Sequence, residues 1–574
     1  MNAKTMAKVI FISTILLLSS VYVDAANWLF KNTISGYQIV VSDEASVSEN
    51  AAARDLQRYI HQMSGALLQI TSEINTHSKH IFVGYSAKVA ELTGQPKPDV
   101  EDESFTYCRV GSDLLIWGGS HRGTMYGVFT FLERELGVHW LTPDCTIVPT
   151  RRSWRLPRLN HHESPAIKYR YSNYFVTQGR TTWFAHNKEN MRGPGPNEYG
   201  DQEGYWGCHT MGQLIRSNEF YKTHPEFFSL REGRRVNEQL CLSNPKVLGL
   251  CKERMANIMR DNPGYRIYSL SQNDNNGYCQ CEYCLELENK YGGHSGIILW
   301  FVNQVADAVR DEFPDKYIGT FAYRYSRKPP TGIIPRDNVV IRLCSIECCF
   351  AHPIDSDCPK NKEFMEDLEG WSKIAPHLFV WDYIVDFSQY IAPWPNFQVL
   401  APNIRTFRDN NVIGVFEEAN YQALGGEFEE MKSWVANQLL WNPNQNTDSL
   451  VKTFIKGYYG EAAPLVLAYY RLCKSLIKHN THFDIYIKAD HELYNERFIE
   501  KALRLLNEAL KIAENEEIHE RVEKVSLQPL YLYCMRNKEK SHEDGTWKKL
   551  ENLMRNNKVR PSEHETLDHF LSQN

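Results

Sequence analysis

The chain has no surplus of positive charge. Its 64 Lys and Arg residues are outnumbered by 70 Asp and Glu residues, and no lysine- and arginine-rich run stands out. Proteins that grip nucleic acid by its phosphates carry a basic face or stripe, so we expect no nucleic-acid partner. The sequence also has no phosphate-loop motif and no Gly-x-Gly-x-x-Gly after a strand, which argues against a nucleotide cofactor.

Long hydrophobic runs are missing except near the N-terminus. Two lysines precede an apolar run from about Val9 to Val23, and Ala25 and Ala26 follow it. This order predicts a secretory signal peptide over residues 1–25. The run is shorter than the roughly 20 residues that span a bilayer, and no later segment qualifies. We therefore expect an exported protein, periplasmic or secreted, without stable membrane insertion.

Aromatic residues, by contrast, are plentiful. Thirteen Trp, 31 Tyr and 26 Phe together make up 12% of the 574 residues. Sugar rings stack their C–H faces on aromatic faces, so such a surplus suits a protein that handles carbohydrate. Large aromatics also fill large cores, and a chain of this length is expected to hold several domains.

The pattern of apolar residues divides the chain into three parts. Residues 26–160 predict a small N-terminal α/β domain, with a helix capped by Ser48 and stopped by Gly65. Residues 161–445 predict a (β/α)₈ barrel of the TIM type, because eight strand candidates occur there, and a helix is expected from Ser295 to Phe313. Residues 446–574 predict a helical C-terminal region. The barrel candidates are "IKYRYSNYF", "EFFSL", "QLCLS", "RIYSLS", "YIGTFAY", "NVVIRLC", "LFVWDYIV" and "VIGVFEE".

Polar and aromatic side chains follow the predicted strands. The loops at the C-terminal ends of barrel strands build the active site, so these side chains are its candidates. Carboxylates that face aromatic side chains are typical of a glycosidase active site. The candidates for catalysis are Asn273, Asp274, Glu347 and Glu418, and those for substrate binding are His209, Tyr323, Trp381, Asp382, Tyr383, Asn420 and Tyr421.

Several of these residues also have a purely structural interpretation. Asp274 in "NDNNG" suits a turn, and Glu347 suits a loop salt bridge. Strand alternation sends only one of Glu417 and Glu418 inward. His209 is an isolated histidine, and isolated histidines are most often structural. Asp382 between two aromatics is harder to explain in this way, because a buried carboxylate needs partners.

The cysteines of "CQCEYC" allow three interpretations. Cys279, Cys281 and Cys284 supply only three thiolates, so zinc would need Cys241 or a histidine to complete a set of four. A disulfide is the simpler account for an exported protein, and reduced buried thiols are the third. A second group contains Cys344, Cys348, Cys349 and Cys358. We predict that the cysteine cluster stabilises the loop after the fourth strand. We expect neither a bound metal nor another cofactor.

Several stretches together resemble a known family. "SHRGTMYGVFTFLERELGVHWLTPD" resembles the accessory domain that precedes the barrel in β-hexosaminidases and α-glucuronidases. Other stretches look like glycoside hydrolase family 163, exported endo-β-N-acetylglucosaminidases that act on complex N-glycans. These stretches are "FYKTHPEFFSLREGRR", "SLSQNDNNGYCQCEYC", "CSIECCFAHPIDSDC", "FVWDY" and "GVFEEANY" with "LLWNPNQNTD" and "FIKGYYG".

The resemblance implies retaining cleavage of the β-1,4 bond between the two core GlcNAc residues of N-glycans or N-glycoproteins. Related hexosaminidases use the substrate's own acetamide as nucleophile, with an acidic pair after the fourth strand. Here that place holds Asn273 and Asp274. Either Asp274 is the acid, or it polarises the acetamide while Glu347 or Glu418 is the acid.

Two other functions fit the same residues. An exo-acting enzyme such as an α-glucuronidase would need basic residues for a uronate carboxylate, and Arg324 and Arg342 lie close to predicted strand ends. A non-catalytic glycan-binding protein would keep the aromatics without needing carboxylates that converge.

Overall fold

A computed structural model describes residues 27–195 and 197–574, which form two compact units. The first unit ends at Pro165 and includes the stretch that ends at Asp201; the second comprises Ala166–Gly195 and Gln202–Asn574. The predicted signal peptide lies outside the described residues. No helix within the described ranges is long and apolar enough to cross a membrane.

The first unit is built on a six-stranded mixed sheet with the order β10-β5-β6-β4-β2-β3. Two two-stranded antiparallel pairs, β1 with β9 and β7 with β8, complete its strands. The strands are β1 (Trp28–Lys31), β2 (Tyr37–Val41), β3 (Gln69–Thr71), β4 (Lys79–Val83), β5 (Phe105–Val110), β6 (Asp113–Gly118), β7 (His139–Thr142), β8 (Cys145–Ile147), β9 (Ser153–Arg155) and β10 (Asn160–Glu163), and the helices are α1 (Val47–Ser64), α2 (Ala87–Thr93) and α3 (Gly123–Arg134).

Helix α1 has both of its ends defined by local chemistry. Ser46 caps it, because its hydroxyl accepts from the Glu49 N–H while the Glu49 carboxylate accepts from the Ser46 N–H. This reciprocal pair satisfies two amides that the helix itself leaves unpaired. The predicted cap, Ser48, instead donates to the carbonyl of His121 at 2.5 Å. Gly65 ends the helix with a φ of 77°, as predicted.

The second unit contains a curled, all-parallel sheet of seven strands. Its order is β12-β15-β16-β17-β18-β19-β11, so the first two sheet strands along the chain lie at the two edges. A separate antiparallel hairpin joins β13 to β14. The strands of this unit are β11 (Tyr169–Asn173), β12 (Tyr205–Trp206), β13 (Phe228–Arg231), β14 (Arg234–Leu240), β15 (Ile267–Ser269), β16 (Tyr317–Ala322), β17 (Val339–Cys344), β18 (His377–Tyr383) and β19 (Val412–Glu418).

The prediction of eight barrel strands is wrong for "EFFSL" and "QLCLS". These segments contribute to the β13–β14 hairpin, and the short strand β12, which the sequence did not predict, takes a place in the sheet. Between the edge strands runs the irregular segment 190–192. The Asn190 N–H donates to the Arg170 carbonyl at 3.2 Å, and the Glu203 N–H donates to the Asn190 carbonyl at 3.2 Å. Scattered hydrogen bonds and one isolated bridge, between Arg192 and Gly204, thus take the place of a strand ladder there.

Helices separate the later strands of the sheet and then continue to the end of the chain. The predicted helix 295–313 is observed as His294–Val309, with its apolar face buried. The helices are α4 (Thr181–His186), α5 (Met211–Leu214), α6 (Ser217–Phe220), α7 (Pro245–Asp261), α8 (Glu282–Tyr291), α9 (His294–Val309), α10 (Pro359–Ile374), α11 (Phe397–Asp409), α12 (Glu429–Trp441), α13 (Thr447–Tyr458), α14 (Ala463–Lys474), α15 (Glu496–Ile512), α16 (Glu516–Arg536), α17 (Lys538–Glu543), α18 (Thr546–Asn556) and α19 (Leu567–Gln573).

A hydrophobic cluster fills the inside of the curled sheet near the starts of its strands. Tyr169, Ile267, Val340 and Phe379 belong to it, and the Tyr169 and Phe379 rings stack 5.4 Å apart. Gly414 makes room for this packing, since a Cβ at that position would lie 2.4 Å from the Phe379 ring. Because the strand starts are filled, the open space of the sheet lies at the opposite, C-terminal strand ends.

Candidate active site

A cavity of about 600 Å³ lies at the C-terminal ends of the parallel strands. Strand pairing brings its walls to one level, because Asn173 of β11 pairs with Glu418 of β19, which pairs with Tyr383 of β18. Three acidic side chains, two arginines and a belt of aromatic rings line the cavity. The charged and aromatic members are Asp274, Glu418, Glu563, Arg324, Arg342, His209, His564, Tyr171, Tyr205, Phe321, Tyr323, Trp381, Tyr383, Phe387, Phe416, Tyr421 and Tyr486.

Glu418 is the last residue of β19, and it is the member of the Glu417–Glu418 pair that lines the cavity. The Trp381 indole N–H donates to its Oε2 at 2.8 Å. Burial raises the pKa of Glu418 to about 8, and the negative charges of Glu563 and Asp274 add to that rise, while the Trp381 hydrogen bond and Arg342 oppose it. Glu418 is therefore a protonated carboxylic acid near neutral pH.

Asp274 and Tyr323 form a hydrogen-bonded pair on the cavity wall. The Tyr323 hydroxyl donates to Asp274 Oδ1 at 2.9 Å, and burial together with the Asp274 charge raises the pKa of Tyr323. Gln239 of β14 holds the loop that carries Asp274. Its amide donates to the Asn273 carbonyl at 2.8 Å, and its Oε1 accepts from the Asn273 N–H at 3.0 Å. The β13–β14 hairpin thus fixes the loop from outside the sheet.

Arg342 projects into the cavity from β17 and is surrounded by aromatic faces. Its guanidinium carbon lies 4.4 Å from the Tyr205 ring centre and 4.6 Å from those of Trp381 and Phe416. Within the described residues no carboxylate forms an ion pair with it, although it is buried. A guanidinium held by ring faces keeps its charge available to a ligand.

Two cavity residues have a backbone conformation that side chains rarely adopt. His209 has a φ of 51° and Arg324 a φ of 48°. The His209 ring stays in place because its Nδ1 lies 2.7 Å from the Gln272 carbonyl. Strained residues outside glycine tend to occur where a binding site requires a particular side-chain direction.

A late part of the chain contributes one wall of the cavity. Glu563 and His564 lie between α18 and α19, and Ile485 and Tyr486 lie between α14 and α15. The Tyr421 hydroxyl donates to Glu563 Oε1 at 3.2 Å. Sequence reasoning missed these residues, since "PSEHE" follows a charged helix and lies far beyond the strands, with no motif to single it out.

Of the predicted catalytic residues, Asp274 and Glu418 line the cavity, and Asn273 and Glu347 lie outside it. The Asn273 side chain is used within the loop, since its Oδ1 accepts from the Gly212 N–H at 2.9 Å and its Nδ2 donates to the Glu238 carbonyl at 2.6 Å. Glu347 is 43% exposed and pairs with Arg327 at 2.8 Å. Glu347 therefore forms a salt bridge in a loop, as its structural interpretation predicted.

Of the predicted binding residues, His209, Tyr323, Trp381, Tyr383 and Tyr421 line the cavity. Asp382 and Asn420 do not. Asp382 accepts a hydrogen bond from Ser345, and burial raises its pKa to about 6. Asn420 is fully buried, and its amide donates to Glu429 Oε2 at 2.5 Å. Both side chains support the strand ends from behind.

Metal-ligating residue types cluster at two other places. Within the described residues these sets are Cys241, Cys279, Cys281 and Cys284, and Cys349, His352, Cys358 and His482. Neither set lines the cavity, and all fourteen cysteines of the chain are free.

Comparison with known families gives two matches along the chain. Residues 140–471 match the family described as "Domain of unknown function (DUF4838)", and residues 29–131 match "Glycosyl hydrolase family 67 N-terminus". A search of curated proteins found no match.

Solved structures with a similar fold include glycoside hydrolases. A family GH115 4-O-methyl-α-glucuronidase with specificity for decorated arabinogalactans has a TM-score of 0.58 at 13% identity, covering 91% of this chain and 76% of that one. A GH89 protein from Clostridium perfringens, solved with GlcNAc-α-1,4-galactose, has a TM-score of 0.51 at 10% identity, covering 89% of this chain and 65% of that one. The chain therefore has a glycoside hydrolase-like fold.

Proposed function

We propose that this chain, which belongs to the DUF4838 family, is a glycoside hydrolase and that the cavity at the strand ends is its active site. The observation that carries this proposal is a cavity that brings Glu418, whose pKa is raised, together with Asp274 and aromatic walls. Cleavage of a glycosidic bond needs an acid for the leaving oxygen and a second polar group at the anomeric carbon.

Glu418 is the proton donor in this proposal. A carboxyl with a pKa of about 8 holds its proton at neutral pH, which a general acid must do. The Trp381 N–H at 2.8 Å fixes the direction of one carboxyl oxygen, so the other oxygen is available to the leaving group. After the sugar departs, the resulting carboxylate is the base that activates water.

The Asp274–Tyr323 pair suits a 2-acetamido sugar. An acetamide offers one N–H donor and one carbonyl acceptor. The Asp274 carboxylate can accept from the N–H, and the Tyr323 hydroxyl can donate to the carbonyl, in place of the 2.9 Å hydrogen bond that joins them. Holding the acetamide at both ends directs its carbonyl oxygen at the anomeric carbon, which is an orientation effect.

The reaction then proceeds in two balanced steps. The acetamide oxygen forms a bond to the anomeric carbon, the bond to the leaving oxygen breaks, and that oxygen takes the Glu418 proton. The carboxylate of Asp274 stabilises the positive oxazolinium ion that results. Water next gives a proton to Glu418 and its oxygen to the anomeric carbon, which reopens the acetamide and leaves the configuration retained.

For the substrate we propose the GlcNAc-β-1,4-GlcNAc core of complex N-glycans, cleaved in the endo mode. This rests on the resemblance of the strand-end stretches to glycoside hydrolase family 163 and on the acetamide argument above. Trp381, Tyr383, Tyr323 and Tyr421 supply faces for sugar rings along the cavity.

The experiment is incubation with a complex N-glycoprotein, followed by mass analysis of what is released. Glycans that end in a single reducing GlcNAc are the expected product, and Glu418→Gln is the control that should release none. Free monosaccharide from the glycan ends would contradict the endo mode. Binding of glycan without any release by the wild type would make the protein a glycan-binding module and overturn the hydrolase proposal.

A second candidate is an exo-acting α-glucuronidase, and one observation favours it. Arg342 is a buried cation without an acidic ion-pair partner among the described residues, and Arg324 lies in the same cavity. A uronate carboxylate is a natural partner for a guanidinium. Release of a uronic acid from a glucuronidated oligosaccharide, with Arg342→Gln abolishing it and N-glycoprotein left intact, would select this function instead.

A further inference from the structure

The cysteines of "CQCEYC" meet a fourth cysteine from the hairpin. Cys241 follows β14, and its Sγ lies 3.7 Å from that of Cys281 and 3.8 Å from that of Cys284. With Cys279 the four sulfur atoms all lie within 4.8 Å of one another, and all four residues are buried. Sequence spacing alone offered three thiolates, so the fold supplies the one that was missing.

These distances fit a tetrahedral metal site and not a pair of disulfides. Four sulfurs at about 2.3 Å from a zinc ion lie roughly 3.8 Å from each other, which matches the two separations above. Two sulfurs joined in a disulfide are about 2.05 Å apart. We propose that Cys241, Cys279, Cys281 and Cys284 bind a structural Zn²⁺ ion.

The surroundings of the four sulfurs suit thiolates. Four thiolates around Zn²⁺ leave a net charge of −2, which buried surroundings must offset. The Leu230 N–H donates to Cys279 Sγ at 3.3 Å, the Arg235 guanidinium lies 3.9 Å from the same sulfur, and the Ser243 hydroxyl lies 3.1 Å from Cys284 Sγ. Donors of this kind tune and orient metal ligands.

An independent set of residues forms a second site. Cys349 and Cys358 follow β17, and His482 arrives from the segment after α14. Nδ1 of His482 lies 3.4 Å from Cys349 Sγ and 3.5 Å from Cys358 Sγ, and Nδ1 of His352 lies 3.5 Å from Cys349 Sγ. For zinc bound to sulfur and imidazole nitrogen, the expected separation is about 3.6 Å. We infer that these four residues bind a second Zn²⁺ ion.

Each site ties together segments that build the cavity. The four-cysteine site joins the end of the hairpin to the loop that follows Asp274. The second site joins the loop after β17 to the segment containing Ile485 and Tyr486, and the Phe350 N–H donates to the Phe483 carbonyl at 3.0 Å beside it. Neither ion would contact substrate. Both would stabilise the segments that form the cavity walls and take no part in the reaction.

The experiment measures metal on the full chain, purified without chelator from zinc-supplemented cells, by mass spectrometry of the metals and of the native protein. Two zinc ions per chain are expected, falling to one in Cys284→Ser and to one in His482→Ala. Cys251→Ser, a buried cysteine of α7 outside both sets, should keep two.

Any other result contradicts a specific part of this proposal. A wild type without metal, or with disulfides at these cysteines in a non-reduced peptide map, overturns both sites. Iron in the four-cysteine site overturns the choice of zinc. If the wild type binds a single ion and only one of the two variants, Cys284→Ser or His482→Ala, loses it, the site of the other variant is overturned. If a variant fails to fold, replacement of zinc by Co²⁺ in the wild type still decides, because tetrahedral thiolate-bound cobalt has a distinctive visible spectrum.

Localised hydrogen exchange gives a separate check on the role of each ion. Removal of the metal should raise exchange in 228–241 and 271–284 for the first site, and in 349–358 and 482–487 for the second. Unchanged exchange in these ranges, in protein proven to have lost its zinc, would contradict the bracing role.

Discussion

At the scale of single residues, the proposed mechanism depends on the proton that Glu418 carries. Replacing it by glutamine keeps the Trp381 hydrogen bond but removes the acid. We expect Glu418→Gln to lower kcat by about 100-fold or more, as is typical for loss of a general acid. Kinetics on released N-glycan measure the change, and wild-type turnover by this variant would remove Glu418 from the mechanism.

The raised pKa of Glu418 also predicts how activity depends on pH. In the proposed mechanism the protonated form is the active one, so kcat should fall as the pH rises through about 8. A wild-type rate that still increases between pH 7 and pH 9 would contradict this assignment. The same raised pKa predicts that folding stability falls as the pH rises from the usual carboxyl value of 4.5 to about 8, because the folded carboxyl holds its proton more tightly than the unfolded one.

Asp274 and Glu347 make a matched pair of substitutions, because both were candidates and only Asp274 lines the cavity. We expect Asp274→Asn to reduce kcat by about 100-fold, since it removes the charge that stabilises a cationic intermediate. Glu347→Gln should stay within a few-fold of wild type, because that side chain pairs with Arg327 at the surface. Equal losses of kcat in the two variants would show that Glu347 also contributes to catalysis.

At the scale of secondary-structure elements, the packing of the Tyr205 side chain of β12 across β15 onto Gly319 of β16 is the feature to test. Gly319 of β16 faces Tyr205, and a Cβ there would lie 2.1 Å from the tyrosine oxygen. Gly319→Ala should cost about 1–3 kcal/mol of stability by overpacking. It should also lower kcat/KM, because Tyr205 supports Arg342 at 4.4 Å.

Gly249→Ala is the matched control for that substitution. Gly249 lies inside α7 and is exposed, and a Cβ added there would meet no atom within 4 Å beyond the adjacent residues and the backbone of its own helix. Alanine is favoured over glycine in a helix by roughly 1 kcal/mol, so this variant should gain stability and keep its activity. Thermal unfolding and kinetics of both variants give the comparison, and a neutral Gly319→Ala would contradict the packing argument.

The same elements mark how far sequence patterns reach. Strands β15 to β19 are mainly apolar, as buried parallel strands are, and the candidate residues at their ends follow from that. β12 has only two residues, which is too short for any periodicity. The segments "EFFSL" and "QLCLS" have the apolar composition of barrel strands, but they contribute to the β13–β14 hairpin instead. Pairing partners depend on tertiary contacts that one sequence does not reveal.

At the scale of the whole molecule, Glu563 and Glu418 act on each other across a long separation in the chain. The negative charge of Glu563 raises the pKa of Glu418. In Glu563→Gln the pKa of Glu418 should therefore fall, and the alkaline decline of kcat should begin at lower pH than in the wild type. An unchanged profile would show that the two carboxyls do not interact, and Glu347→Gln serves again as the neutral comparison.

Glu563 also shows why part of the site was not predictable. Nothing in "PSEHE" differs from an ordinary surface loop. Its position follows from backbone hydrogen bonds, with the Tyr390 N–H donating to the Pro561 carbonyl at 2.8 Å and the Glu563 N–H donating to the Phe387 carbonyl at 3.0 Å. Such long-range contacts form only in the folded chain.

This late wall of the cavity has a consequence for how the protein matures. A nascent chain that has emerged as far as β19 already carries Asp274 and Glu418, but the segment from Val559 to His564 has still to be made and docked. In the proposed mechanism we therefore expect full activity only once this segment has docked, and we expect a chain trimmed before Val559 to keep the proposed sugar-binding rings without the Glu563 charge. Turnover would report completed folding of the second unit more faithfully than glycan binding does.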